Sequence, residues 1–331
     1  MSNPIRRFAR MLLITIFVGL TVGSTDNQLH ATTAQPTRQN GDPDAAQLIT
    51  SDIPNFWRVF DRASLITGAE LFQREYIDAG SRGLQGFLAN RIVNGRYLAA
   101  TVAARPRYYA AIRKNSLAVD ASPGIKESIR AAFRRLKQLY SEAIFPDVYF
   151  LIGRLNSAGT TSSDGLLIGV EMNARDESTP VDELTNWERA VSGRIADLPH
   201  IVSHELVHIQ QSNAGSTLLA FSLKEGGADF IAELTSGAHT NRAQHTYGNA
   251  HQRELWEAFR KDMHGSDLTR WLFQGDRSAD RPADLGYYIG YKICEAFYGR
   301  SSDKAEAVRR IIRITDAEAF LRESGYAGGA Q

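Results

Sequence analysis

Residues 198–211, with the sequence LPHIVSHELVHIQQ, contain the pattern that decides the fold. His204 and His208 stand four positions apart, and in a helix such residues lie one above the other on the same face. The other positions are mostly apolar, so we expect a helix that is buried on most sides. Asp197 is expected to cap this helix, and Pro199 is tolerated in its first turn. Both imidazoles can then reach one zinc ion.

Glu205 directly follows the first histidine and completes an H-E-x-x-H motif. On the helix this position brings its carboxylate beside a zinc-bound water, where it can act as a general base. The motif arises by chance in on the order of one in a hundred chains of this length. A buried helix with two hydrogen-bonded histidines is therefore the alternative, and the next motif weakens it.

A second acidic motif follows in LKEGGADFIAEL, where Glu225 stands 17 residues after His208. Two histidines, a glutamate and an open water position form a known catalytic zinc site, so we predict Glu225 as the third ligand. Asp229 shares its helix face and is predicted to accept a hydrogen bond from a ligand histidine. The alternatives are a solvated carboxylate for Glu225 and a surface charge or local salt bridge for Asp229. Gly226 and Gly227 predict a close approach to the histidine-bearing helix.

The two motifs together, HELVH at 204–208 and E-x-x-A-D at 225–229, resemble those of the gluzincin metallopeptidases, the thermolysin and aminopeptidase relatives. The resemblance implies the same three zinc ligands, the same supporting aspartate, and Glu205 as general base. It also implies that an edge strand before the metal helix binds extended substrate, and residues 165–172 (GLLIGVEM) are in the right place. More narrowly, residues 148–298 resemble poorly characterised predicted zinc-protease families of exported bacterial proteins.

Two departures from the gluzincin pattern leave the substrate class open. Lys224 occupies the position where thermolysin-like enzymes have an asparagine before the third ligand. The sequence also has no motif of the exopeptidase type that recognises a free amino terminus.

A donor for the developing oxyanion is predicted in GYYIGY, residues 286–291. Its Y-x-x-G pattern, from Tyr287 to Gly290, is similar to the aminopeptidase pattern in which the tyrosine stabilises the tetrahedral intermediate. We favour Tyr287, with Tyr288 as the alternate, against an aromatic stripe that packs in the core. Five histidines are further candidates for protonated donors, although surface or structural roles suit them better: His200, His239, His245, His251 and His264.

Hydrophobic periodicity predicts an α+β fold that is mainly α-helical. Residues 53–145 read as a helical N-terminal region, which is a propeptide, a regulatory cover or part of one fold. Two short apolar runs, 147–155 and 165–172, are rich in β-branched and aromatic residues and predict neighbouring strands. We therefore expect a zincin-like catalytic unit over residues 146–325, with a small β-sheet beside the H-E-x-x-H helix.

The N-terminus has the pattern of an export signal. Three arginines precede a 13-residue apolar run, residues 11–23, which is shorter than the roughly 20 residues of a membrane-spanning helix. We predict a signal peptide over residues 1–34, cleaved after Ser24 or Ala34, and a flexible linker over residues 35–52. The alternative is an uncleaved N-terminal anchor. On the first reading the protein is periplasmic or secreted, with no stable membrane insertion after cleavage.

Composition narrows the function further. The 38 basic and 37 acidic residues nearly balance, which argues against a nucleic-acid partner. Cys294 is the only cysteine and lies in an apolar helical stretch, so a buried, inert thiol is expected. The sequence predicts an exported peptidase with one catalytic Zn²⁺ and a peptide or protein substrate. The alternatives are a zinc hydrolase that cleaves a non-peptide amide of the cell envelope and a non-catalytic zinc-bearing binding protein.

Overall fold

The computed structural model describes residues 40–329, apart from residues 65, 238, 278 and 279. The chain divides between Gln35 and Pro36 into two units, and every described residue belongs to the second. The predicted signal peptide and the start of the predicted linker lie outside the described residues. In the described part of the chain, no helix combines the length and apolar character that crossing a membrane requires.

Fourteen α-helices lie in the described part of the chain and make up most of it. In chain order they are α1 (Asp52–Phe60), α2 (Gly68–Leu71), α3 (Arg82–Gly86), α4 (Gly95–Ala104), α5 (Pro106–Ala121), α6 (Pro123–Leu139), α7 (Asn186–Val191), α8 (Leu198–Gln210), α9 (Leu218–Ser236), α10 (Arg242–Ala250), α11 (Gln252–Asp262), α12 (Leu285–Arg300), α13 (Lys304–Ile312) and α14 (Ala317–Ser324). Two π-helical segments, Phe72–Ile77 and Leu88–Ile92, follow α2 and α3.

The strands of the described residues form one four-stranded sheet in the order β1-β2-β4-β3. These strands are β1 (Leu48–Ile49), β2 (Val148–Leu151), β3 (Gly159–Ser162) and β4 (Gly165–Gly169). β1, β2 and β4 are parallel, and β3 is antiparallel to β4. The two predicted strands are thus neighbours, and α8 packs on β3 and β4. The mainly α-helical α+β class, with its small sheet beside the metal helix, is confirmed.

The edge strand beside α8 is β3, and the prediction that the GLLIGVEM stretch supplies it is wrong. β4, which begins that stretch, lies between β2 and β3 and is fully buried. β3 falls within a segment that reads as a turn because of its serines, glycine and threonines. Thr160 and Thr161 are β-branched and pair with Leu167 and Leu166 of β4, so the turn is confined to the tip of a hairpin.

The flexible-linker prediction is wrong for the linker residues that the structure describes. Leu48 and Ile49 pair with β2 as strand β1, and Ala46 is buried. The backbone amide of Gln47 also donates to the Asp147 carboxylate at 2.8 Å. A two-residue strand is too short to leave a periodic signal, which is why the polar composition around it dominated the prediction.

The helices of the N-terminal region share a core with the sheet. Three buried tyrosine hydroxyls donate hydrogen bonds to backbone carbonyls that directly follow β2 and β4. Tyr76 donates to Ile152 at 2.7 Å, Tyr109 to Gly153 at 2.8 Å, and Tyr108 to Glu171 at 2.7 Å. α6 also packs against α8 and α9. Among the three interpretations of residues 53–145, this shared core favours part of one fold.

Helices α9 and α12 cross at backbone contact. A Cβ at Gly290 would lie 1.7 Å from the carbonyl oxygen of Ser222, and a Cβ at Gly226 would lie 2.1 Å from the amide nitrogen of Tyr291. The close approach predicted from the glycine pair is therefore present, but at Gly226 its partner is α12 rather than the histidine-bearing helix. Only glycine fits either position, because a shift of either helix would be needed to accommodate a methyl group.

We expect Gly290→Ala to lower the free energy of unfolding by at least about 2 kcal/mol, because the methyl group has no space at the crossing. Gly299→Ala is the matched control, since Gly299 lies in the same helix and a Cβ there meets nothing within 4 Å. Gly299→Ala should leave stability unchanged or raise it by up to about 1 kcal/mol. Urea denaturation measures the free energy of unfolding of both variants. Equal values for the two variants would contradict the close contact between α9 and α12 at Gly290.

Candidate metal centre

Helix α8 carries His204 and His208 on one face. Its other faces bury Val202, Leu206 and Val207 against the core, which fixes the rotation of the helix. Asp197 occupies the N-cap position as predicted, but its side chain makes no capping hydrogen bond. The carboxylate instead pairs with the guanidinium of Arg242 at the start of α10, at 3.0 Å, since that charged partner offers a stronger contact than a backbone amide.

The side-chain atoms of His204, His208 and Glu225 converge. The Nε2 atoms of the two histidines lie 3.0 Å apart. Glu225 Oε2 lies 3.6 Å from His204 Nε2 and 3.3 Å from His208 Nε2. In a tetrahedral zinc site with bonds of 2.0–2.1 Å, ligand atoms are separated by about 3.3 Å. The donor set and spacing therefore fit zinc. Among the described residues, this is the one cluster of such groups that could hold a metal ion.

Both ligand imidazoles are oriented by hydrogen bonds from their Nδ1 atoms. His204 donates to Asp229 Oδ1 at 2.7 Å, and His208 donates to Gln211 Oε1 at 2.7 Å. Gln211 in turn donates through Nε2 to the backbone carbonyl of Lys224 at 2.7 Å, which fixes the orientation of its amide. When a metal displaces the proton on Nε2 and the Nδ1 proton stays donated to its partner, each Nε2 can present its lone pair to the metal position.

Burial and nearby charge set the ionisation of the site. Burial opposes protonation of His204, but the carboxylates of Asp229, Glu225 and Glu205 together outweigh it and hold the pKa of His204 well above its ordinary value. Burial would raise the pKa of Glu225, yet His208 and His204 hold it well below its usual range. Glu225 is therefore an anion, as a metal ligand must be. Burial raises the pKa of Glu205, which brings this carboxylate closer to the range of an effective general base.

The metal centre opens into a cleft of about 550 Å³, lined on one side by the chain around β3. Glu205 lies directly against that edge strand, because a Cβ on Gly159 would come within 2.6 Å of Glu205 Cγ. His204, Asp229 and Tyr287 also line the cleft. Glu205 is thus within reach both of the metal position and of a chain lying along β3.

Of the two tyrosines considered for the oxyanion, Tyr287 lies at the centre and Tyr288 does not. The ring of Tyr287 stacks near that of His204, with centroids 6.4 Å apart. Burial, followed by the Glu225 and Asp229 charges, raises the pKa of Tyr287 well above its ordinary value, so its hydroxyl keeps its proton. Tyr288 is buried elsewhere and donates to Asn249 at 3.1 Å.

The five further histidines do not line the cleft. His200 is buried behind Asp229, with its Nε2 4.0 Å from the Asp229 carboxylate. The other four contact neighbours outside the cleft: His239 pairs with Glu233, His245 packs on His239, His251 bonds the Tyr247 carbonyl, and His264 pairs with Glu318. Structural roles, which the sequence favoured for these histidines, agree with these contacts. Cys294 is buried, as predicted.

Two site residues were missed by sequence reasoning. Gln211 follows His208 by three positions, so the helical spacing was a usable signal. Gln210 faces the core and donates to the Ile144 carbonyl. Asn241, which donates to the second oxygen of Asp229, comes from the start of α10 and had no sequence signal.

Comparison with known proteins supports this class of site. Residues 184–321 match a protein-family model described as "Predicted Zn-dependent protease (DUF2268)". The matched stretch includes all three converging side chains and Glu205. No curated protein and no solved structure matches the chain. Over this stretch the chain is similar to predicted zinc-dependent proteases, and its His-His-Glu cluster could hold a metal ion.

We expect the purified protein to bind about one zinc ion per chain, because three ligands and one open position form a single site. His204→Ala and Glu225→Ala should lose the metal or bind it much more weakly. Gln211→Ala should weaken binding by about 10- to 100-fold, since the His208 ring loses its orienting partner. Metal analysis and competition with a chelator measure these changes.

Gln210→Ala is the control for Gln211→Ala, because Gln210 has the same side chain but faces away from the site. Its folded form should bind zinc as tightly as the wild type. Equal zinc affinities for the two glutamine variants would exclude Gln211 as an orienting residue.

Proposed function

We propose that this protein is an exported, gluzincin-type zinc peptidase with a zincin-like catalytic unit. In this proposal His204, His208 and Glu225 hold one zinc ion, Asp229 supports His204, and Glu205 is the general base. One contact carries the proposal above all: Glu205 adjoins the converging ligands in sequence and touches edge strand β3 through Gly159. A base between a metal position and a free strand edge suits hydrolysis of an extended peptide.

The mechanism follows from the positions of these side chains. A zinc ion held by His204, His208 and Glu225 would supply Lewis acidity for activating a water molecule and for polarising a substrate carbonyl. β3 offers its unpaired edge to the backbone of an extended substrate by β-augmentation. Glu205 accepts the proton of the attacking water and later delivers it to the leaving amine. Tyr287 donates a hydrogen bond to the oxygen that develops negative charge.

Support for a peptidase over the other readings comes from two directions. The matching family model is described as a protease, and a strand edge recognises main-chain groups, which peptides possess. A structural zinc site normally has four protein ligands, whereas the cluster among the described residues has three. A non-catalytic binding protein would also have no use for the Glu205 carboxylate, which lines the cleft beside the metal position.

The proposal extends to domain organisation and location. Residues 146–325 form the catalytic region, and the helices of residues 53–145 support its sheet through the three tyrosine contacts. Export to the periplasm or beyond rests on the N-terminal sequence, where three arginines precede the apolar run.

Glu205→Gln should reduce turnover of a peptide substrate by at least about 10²-fold, because the amide cannot accept the water's proton. The variant should keep its zinc, since Glu205 is not one of the converging ligands. Turnover and zinc content are measured on the same preparation. A variant that retains both zinc and undiminished turnover would refute the role of Glu205 as base.

Tyr287→Phe should lower kcat by about 10²- to 10³-fold with little change in KM, as expected for loss of a donor that acts on the transition state. Tyr288→Phe is the matched control, because its hydroxyl bonds Asn249 outside the cleft. Steady-state kinetics of both variants make the comparison. If Tyr288→Phe has the larger effect on kcat, the assignment of the donor is wrong.

A further inference from the structure

Three arginines line the cleft beside the metal centre: Arg175, Arg194 and Arg242. We refer to these three residues as the arginine wall. Arg194 precedes α8 and Arg242 begins α10, and their side chains are 58% and 59% exposed. None of the three is needed to bind the metal or to activate water, so the catalytic machinery does not explain their presence.

Two members of the arginine wall, Arg175 and Arg194, lack a strong anionic partner among the described residues. Their backbones pair in an isolated parallel β-bridge, which places two cationic residues at the same part of the cleft lining. Arg194 has Glu177 as a partner at 3.4 Å, but that carboxylate is 86% exposed, and such a surface pair contributes little. Among the described residues, Arg175 donates to the backbone carbonyls of Arg189 and Ser192, which are neutral.

Four carboxylates line the same cleft. Glu205 is the proposed general base, and the other three are already engaged. Asp284 accepts from the backbone amide of Gln274 at 2.9 Å. Asp197 is buried and pairs with Arg242. Asp229 is buried and accepts from His204 and Asn241. The side chains presented to a substrate are therefore mainly guanidinium groups, which favour binding of a carboxylate.

The position of this charge along a substrate follows from helix geometry. Arg194 lies just before α8, whose axis rises about 9 Å from Leu198 to His204 at 1.5 Å per residue. An extended peptide advances about 3.3 Å per residue. A substrate side chain that meets the arginine wall is therefore roughly two to four residues from the bond at the metal.

From this arrangement we infer that the substrate is a peptide with an aspartate or glutamate two to four residues from the scissile bond, and that the arginine wall binds this carboxylate. The inference rests on the proposed function, because it specifies the substrate of the same cleft. β3 contacts the main chain whatever the sequence, so the arginine wall is the part of the cleft that selects substrates by charge.

The test uses the zinc-loaded full-length protein. A library of peptides is first digested to find a cleaved sequence. Synthetic peptides are then compared that differ in one residue, Glu against Gln, at each position up to four residues from the cleaved bond. At one position we expect Glu to raise kcat/KM by about 10- to 100-fold through KM, as for a hydrogen bond to a charged group. This preference should shrink as the salt concentration rises.

Arg194→Glu should abolish or reverse the preference for Glu over Gln. Arg194→Ala should abolish the preference without reversing it, and it guards against a folding defect caused by the new charge. Arg135→Glu is the matched control, because Arg135 is exposed on α6 and does not line the cleft. It makes the same change in net charge and should keep the preference.

The outcomes separate the two proposals. The proposed role of the arginine wall would be overturned by equal rates for Glu and Gln at every position. An unchanged preference in both Arg194 variants would overturn it as well. Either result would leave the proposed peptidase function standing. If the zinc-loaded wild type cleaves no peptide in the library, the proposed function fails and the inference fails with it.

Discussion

The crossing of α9 with α12 is the constraint on which the site depends. α9 is buried along most of its length and carries both Glu225 and Asp229. It is held against α12 at a distance that glycine alone permits at Gly226 and Gly290. Its other side packs on α8, so the separation of Glu225 from the two histidines is fixed by three packed helices. The converging Nε2 and Oε2 atoms lie 3.0–3.6 Å from one another, which leaves little tolerance for movement of any of the three helices.

Charge explains how such a polar cluster can be buried. A zinc ion would bring two positive charges, and the carboxylates of Glu225 and Asp229 bring two negative ones. The assembled site is then close to neutral, which limits the cost of removing it from water. Glu205 is a third carboxylate at the site, and burial raises its pKa, which favours its neutral form. The two histidines also differ, because the partner of His204 is an anion and the partner of His208 is a neutral amide.

The cleft offers two kinds of contact, the edge of strand β3 and the side chains of the arginines. β3 lies at the edge of the sheet and next to Glu205, so under the proposed function it would bind a substrate backbone without regard to sequence. Selectivity then has to come from side chains elsewhere on the cleft, where exposed arginines outnumber exposed carboxylates. Under the proposed function the packed helices align the reacting groups, and the arginines that line the cleft select the substrate.

The sequence by itself determined the features that depend on local geometry. Residues four apart in a helix share a face, so the pairing of His204 with His208 and of Glu225 with Asp229 was readable from spacing, as was the mainly helical α+β class. Tertiary structure decided the rest. It placed Tyr287 at the metal centre and Tyr288 away from it, made β3 the edge strand beside α8, and brought Arg175, Arg194 and Arg242 to one cleft. These outcomes depend on contacts between segments far apart in the chain, which periodicity and spacing do not encode.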